Sequence, residues 1–224
     1  MTPAALHGLR DRLLAALPPG DRDPWSLAPP TAGLPGFTLE PVLVVAGSRR
    51  LRATADDRAR FAAIADAIGR LALRSPAIHV GDAGGFDEAA AAWATGLRLR
   101  LRIFCAGPTV SVRRRFPDAT VFVEATWRDG RSAGPIRNRS MTKAAAPAGL
   151  LVAWPGGPGT GSAKAAARSA GLALFDLAHP SANLPPDELA AWVLRGWVDH
   201  LCQLGPTPPR AGDATGSQGT IPGL

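Results

Sequence analysis

The stretch Gly149–Gly161, GLLVAWPGGPGTG, limits what this chain can fold into more than any other. An apolar run of strand type, Leu150 to Trp154, stops at Pro155, and a glycine-rich turn follows at once. Behind the turn comes Ser162–Ala170, alanine-rich and made of good helix formers. Glycine lets backbone amides approach a ligand closely, and a helix N-terminus adds unpaired N–H groups and partial positive charge. The turn therefore reads as an anion cradle, most naturally for phosphate. A lone Gly/Pro turn after a strand is more often only a turn, so the other loops decide its weight.

The same order recurs along the chain. Val42–Ala46 is a continuous apolar run, the mark of a strand buried on both faces of a parallel sheet, and it ends in GSRR, Gly47–Arg50. A helix is predicted from about Thr54 to Leu73, with Phe61, Ile64, Ala65, Ile68 and Leu71 at helical spacing. Thr54 suits its N-cap, and Asp56 and Asp57 suit its first turn. Ala77–Val80 runs into GDAGGFD, Gly81–Asp87, and a helix over about Phe86–Thr95 is stopped by Gly96. Leu97–Cys105 reads as a third strand, Gly107–Asp118 as a loop, and Thr120–Val123 as a short fourth strand. Trp127–Arg139 is polar and leads into a helix at about Ile136–Ala146, with Pro135 where a first-turn proline is tolerated. Leu172–Leu177 is the last strand, and Asp187–Leu204 a closing helix with Leu189, Trp192, Val193, Trp197 and Leu201 on one side. Strands alternating with helices predict an α/β fold, a doubly wound, mostly parallel sheet with helices on both faces.

Four regions follow from this pattern. Residues 1–40 hold a short amphipathic helix (Leu6, Leu9, Leu13, Leu14 and Leu17 on one stripe) and a Pro/Gly-rich wrap that Trp25 and Leu27 would pin. Residues 41–178 form the main domain, 179–204 a C-terminal helix, and 205–224 a disordered tail rich in Pro, Gly, Thr and Ser. The net charge of +7 comes from arginine, since Lys143 and Lys164 are the only lysines. That balance favours acidic partners such as nucleotides or nucleic acid, although a GC-rich coding sequence gives the same composition. Cys105 and Cys202 support neither a disulfide framework nor a metal site, so a reducing cytoplasm is expected. No apolar run approaches a membrane span, and charges interrupt the N-terminal pattern where a signal peptide has none. The two terminal helices offer apolar stripes that could pair subunits.

In a parallel sheet, loops that follow strands share the carboxyl edge, and ligands bind there where strand order reverses. Three glycine loops that each precede a helix are therefore expected to meet. The expected ligand contacts are Gly47, Ser48 and Arg49; Gly81, Asp82, Gly84, Gly85 and Asp87; and Pro155, Gly156, Gly157, Gly159 and Thr160. Arg137 and Asn138 would close the site. Arg137 and Arg139 open a helix, where the dipole disfavours cations unless something negative offsets them. Arginine suits forked contact with phosphate. The plainer alternative is that the arginines are solvated or paired with Asp82 or Asp87. The two acids could accept ribose hydroxyls, and Asp87 could equally cap a helix. Trp93, Trp127 and Trp154 are candidates to stack on a base, with Trp93 better placed in the core. His79 reads as a packed core residue and Arg113–Arg115 as a solvated face.

GSRR, GDAGGFD, WRDGRSAGPIRNRSM and VAWPGGPGT together resemble the YspA/YpsA-related branch of the SLOG superfamily, over about Val42–Leu177. That superfamily includes the LOG phosphoribohydrolases and the DNA-processing protein DprA. The resemblance implies a Rossmann-like fold that binds a nucleotide or nucleotide-derived ligand at the carboxyl edge; the residues themselves show no other cofactor motif and no metal site. Many members look like sensors in prokaryotic conflict and stress systems. The chain departs from the pattern in two places. The second loop of this branch resembles G-x-A-R-G-A-D, and here Gly84 and Phe86 stand at the arginine and second alanine positions. LOG enzymes carry a glutamate shortly after PGGxGT, where this chain has Gly161, Ser162 and Ala163. The expectation is a binding or sensing domain. A hydrolase of LOG type using Asp82, Asp87 or Glu124, and DprA-like binding of single-stranded DNA, are the alternatives.

Overall fold

Alternation inside each apolar run decides which side of the sheet a residue serves. The computed structural model describes residues 41–72, 74–123 and 127–204. The expected N-terminal helix and wrap, the C-terminal tail and Glu124 lie outside the described residues. The elements are β1 (Val42–Ala46), α1 (Ala55–Ala72), β2 (Ala77–Gly81), α2 (Phe86–Gly96), β3 (Arg100–Cys105) and α3 (Val110–Arg115). They continue with β4 (Thr120–Val123), α4 (Ala133–Lys143), β5 (Leu150–Ala153), α5 (Pro158–Ser169), β6 (Ala173–Asp176) and α6 (Pro186–Gln203).

The six strands form one sheet in the order β4-β3-β2-β1-β5-β6, and every pairing is parallel. In β1, Leu43 sits opposite Ile78 on one side and Leu150 on the other. Leu43, Val45, Ile78, Val80, Ile103, Leu150 and Val152 join one core with residues of α1, α2, α3 and α6. Val42, Val44, Ala46, Phe104, Leu151 and Ala153 join a second core with Met141 of α4 and Ala163 and Ala167 of α5. Strands covered on both faces have no polar side to show, which explains the unbroken apolar runs. This is the doubly wound, Rossmann-like arrangement expected from the sequence. From β1 the chain steps outward to β4, then crosses back to lay β5 beside β1 and moves the other way to β6. The reversal falls between β1 and β5, and it opens a crevice beyond their carboxyl ends.

Boundaries differ from the sequence reading where local chemistry intervenes. The expected loop at Gly107–Asp118 contains α3, held by the Val112 side chain, which is buried, and by the Phe116 amide on the Val112 carbonyl (2.9 Å). Strand β3 starts at Arg100 because residues 97–99 close α2. The Leu97 and Leu99 amides donate to Trp93 and Ala94, and Arg98 takes a positive φ of 56°. Helix α5 starts at Pro158, four residues before the expected Ser162, since proline at the first helical position loses no hydrogen bond. Gly159, Thr160 and Gly161 thus belong to a helical turn. Helix α4 begins at Ala133, earlier than Ile136, with Pro135 still in the first turn. The stripe on α6 packs inside the chain: Leu189, Val193, Trp197 and Leu201 are buried, and α6 lies against α1. It is therefore covered within the subunit. No helix among the described residues is long and apolar enough to cross a membrane.

Candidate functional site

The bends after β1, β2 and β5 follow parallel strands and so lie at one edge, and hydrogen bonds join them. The Ser48 carbonyl, after β1, accepts the Phe86 amide at the start of α2 (3.1 Å). A Cβ at Gly156, after β5, would stand 3.2 Å from the Ser48 nitrogen. The Asn138 side-chain amide on α4 donates to the Gly159 carbonyl (3.2 Å), and Arg137 reaches Asp82 and Asp87, each at 3.5 Å. Residues separated by more than a hundred positions are gathered on a common rim.

The floor beneath them is aromatic. Trp154 stacks on Phe86 with centroids 4.6 Å apart, and its indole N–H donates to Asp57 Oδ1 (3.0 Å). Asp57 also caps α1 in a reciprocal box: Asp57 Oδ2 accepts the Thr54 amide (2.9 Å), and Thr54 Oγ1 accepts the Asp57 amide (3.1 Å). Trp154 is 2 % exposed and cannot stack on a ligand, which corrects that expectation. Its indole needed a buried partner, and Asp57 supplies it. In sequence Asp57 shows only as a first-turn acid. His79 is wholly buried beside Phe104, with Nδ1 3.4 Å from the Met141 carbonyl, as a core residue. Trp93 is half-buried and packs on Phe61 and Phe86. The side chain of Trp127 lies outside the described residues.

The glycines divide into two kinds. A Cβ at Gly47 would lie 2.6 Å from Phe86 Cβ, and one at Gly81 would overlap Arg137 Nη1 and stand 2.7 Å from Asp87 Oδ2. Gly85 has φ 75° and would press on Arg49, and Gly156 would meet Thr160 Cβ at 2.6 Å. At these four positions the close approach is to the protein itself, not to a ligand, which changes the reason for glycine given by the sequence. Gly157 and Gly159 face open space, and Gly84 has only the tip of Glu88 within 4 Å. Gly157 carries no side-chain cap for α5, Pro155 is exposed beside it, and the first turn of α5 holds no acid. Its N–H groups are left for solvent or an anion.

The charges are arranged against the simplest reading of Arg137 and the two acids. Arg137 is 5 % exposed and lies between Asp82 and Asp87. Asp82 Oδ2 also accepts the Ala106 amide (2.9 Å), tying the bend after β2 to the end of β3. Because α4 starts at Ala133, Arg137 falls in its second turn rather than at the helix end, so the two acids balance the buried guanidinium itself and not a cation set against the dipole. Burial raises Asp87 from 3.8 to about 6; the Arg137 charge, the Gly47 amide and Arg49 oppose the rise, and Asp82 adds to it. Cys105 is pushed up to about 11 by burial and by Asp82, so it stays a thiol. Arg115 pairs with Glu88, and Arg113 and Arg114 are exposed, a solvated face as read.

Three buried side-chain atoms at this edge have no hydrogen-bond partner: Asp87 Oδ1, Arg137 Nε and Thr160 Oγ1. The remaining such atom among the described residues, Arg60 Nε, faces an Asp56 oxygen at 2.7 Å on α1. Unpartnered buried polar atoms are rare and mark places that ask for an explanation. No group of three or more His, Cys, Asp or Glu among the described residues could hold a metal ion. No protein-family model, curated protein or solved structure matches this chain.

Proposed function

We propose that the chain binds a nucleotide or nucleotide-derived ligand at the crevice between β1 and β5, with phosphate on the first turn of α5. The reading is supported above all by Thr160 Oγ1, buried at 4 % exposure without a partner in that turn. Beside it stand the open Gly157 and Gly159, at the topological position where doubly wound sheets take ligands. Ser48, next to Gly156, would complete the cradle. Asn138 holds α5 in place through the Gly159 carbonyl, and Arg137 acts by fixing Asp82 and Asp87. The resemblance to the YspA/YpsA-related SLOG branch points the same way, and a sensing role follows from it.

A titration of nucleotides into wild-type protein and Gly157→Asp tests the cradle. Gly157 has open space and a negative φ (−92°), so aspartate fits there and the ligand-free melting temperature stays put. The added carboxylate repels phosphate, and calorimetric binding is expected to vanish. Unchanged affinity would sink the proposal. Hydrolysis of LOG type is the second reading, favoured by Asp87, a carboxyl that can carry a proton near pH 6. Release of free base from a nucleoside monophosphate, absent in Asp87→Asn, would establish it.

A further inference from the structure

Cationic charge at this edge is matched unevenly. Arg137 stands between two carboxylates, so its charge is balanced inside the protein. Arg49 and Arg50, on the bend after β1, are exposed, and neither forms an ion pair with a carboxylate among the described residues. Their backbone is fixed from several sides. The Ser48 carbonyl accepts the Leu51 amide (3.3 Å) as well as that of Phe86, and Ser48 Oγ accepts the Arg50 amide (3.1 Å). Gly85 lies so close that a Cβ there would stand 2.6 Å from the Arg49 carbonyl carbon. The two guanidinium groups therefore spring from a braced bend, adjacent to Gly156. Arg49 is near enough to Asp87 for its charge to oppose the rise described above.

Positive charge is thus available at this edge from two separate sources. One is the first turn of α5, made of backbone amides with no acid beside them. The other is the pair of side chains at Arg49 and Arg50. A single phosphate matches one source and leaves the other facing water.

We propose that the site selects ligands with two adjacent phosphates, a nucleoside diphosphate or a molecule built on one. The first phosphate would sit at Gly157–Thr160 and the second between Arg49 and Arg50. This rests on the phosphate reading of the α5 turn, and it adds Arg49 and Arg50 as specificity-determining residues. Forked arginine contacts are stronger than neutral ones, so a second phosphate held this way should tighten binding about tenfold.

Calorimetric titration of the full chain with the four common ribonucleoside monophosphates and their diphosphates tests the inference. At least one diphosphate is expected to bind about tenfold tighter than its monophosphate. In Arg49→Ala/Arg50→Ala the gap should shrink to about twofold, because the diphosphate loses more affinity than the monophosphate. Both side chains are exposed, so the double variant should melt with the wild type. Monophosphate binding without a diphosphate gain in the wild type would overturn the inference and leave the cradle standing. No binding of either set would overturn both. Equal loss of mono- and diphosphate binding in the double variant would also overturn the two-source arrangement. Binding confined to oligonucleotides, steeply weakened by salt, would replace it with the single-stranded DNA reading.

Discussion

Asp87 offers a test that needs no ligand. Its carboxyl is buried, with Arg137 Nη1 3.5 Å away and Asp82 at 3.5 Å from the same nitrogen, and burial pushes it up from 3.8 to about 6. The folded state therefore holds this proton more tightly than the unfolded chain. Stability linked to the group is fully present below pH 3.8 and is lost as pH rises toward and through about 6. At 1.36 kcal/mol per pKa unit, the ionised form costs about 3 kcal/mol at pH 8. Asp87→Asn keeps the shape and cannot ionise, and Arg137 retains Asp82. The variant is expected to exceed wild type by up to about 3 kcal/mol at pH 8 and to converge with it near pH 4. Urea unfolding followed by tryptophan fluorescence at fixed pH values from 4 to 8 gives the difference. Other carboxylates cancel between the two proteins, including Asp176, which Lys164 holds below its usual range. A variant less stable than wild type at pH 8, or curves that run parallel, would refute the reasoning. A gain in stability on removing a charge is the signature of a group kept for something other than folding.

Thr160→Val replaces a buried, unpartnered hydroxyl with a methyl group, so stability should stay level or rise by about 1 kcal/mol while nucleotide affinity falls. Thermal melts and titrations on one preparation read both. Gly85→Ala forces a side chain into φ 75° against Arg49 and should destabilise by about 2 kcal/mol or more, whereas Gly159→Ala, in open space, should not destabilise. Denaturant midpoints separate the two. Asp57→Ala removes the acceptor of the Thr54 amide at the start of α1 and the indole's acceptor together, and a loss of about 2–4 kcal/mol in chemical denaturation is expected. Trp154→Phe in the Asp57→Ala background should then cost less than it does alone.

The sheet was legible because Val42–Ala46 and Leu150–Trp154 are apolar without a break, and only strands covered twice can be. The reversal between β1 and β5 was not written in any one run. It emerges from the order of pairing, but the glycine bends marked its rim. Glycine itself was ambiguous. Gly47, Gly81 and Gly157 look alike in sequence, yet the first is pressed on Phe86, the second on Arg137, and the third is open. Sequence shows that a Cβ is missing, not what stands where it would be. Trp154 misled for a related reason: an aromatic beside a glycine turn can face outward or form the floor, and only Phe86 and Asp57 decide. Helix α3 was missed because one buried residue, Val112, holds it, and one apolar position sets no period.

The pairing of Leu43 with Leu150 carries a consequence for how this molecule matures. The two halves of the crevice come from β1 and β5, which must find each other across a chain more than a hundred residues long, a contact of high closure entropy. A fragment ending after β4 could stack its strands and still hold no half-site opposite Ser48. On the proposed reading, ligand capture would report completion of the whole sheet, since a nucleotide could stabilise only the finished topology.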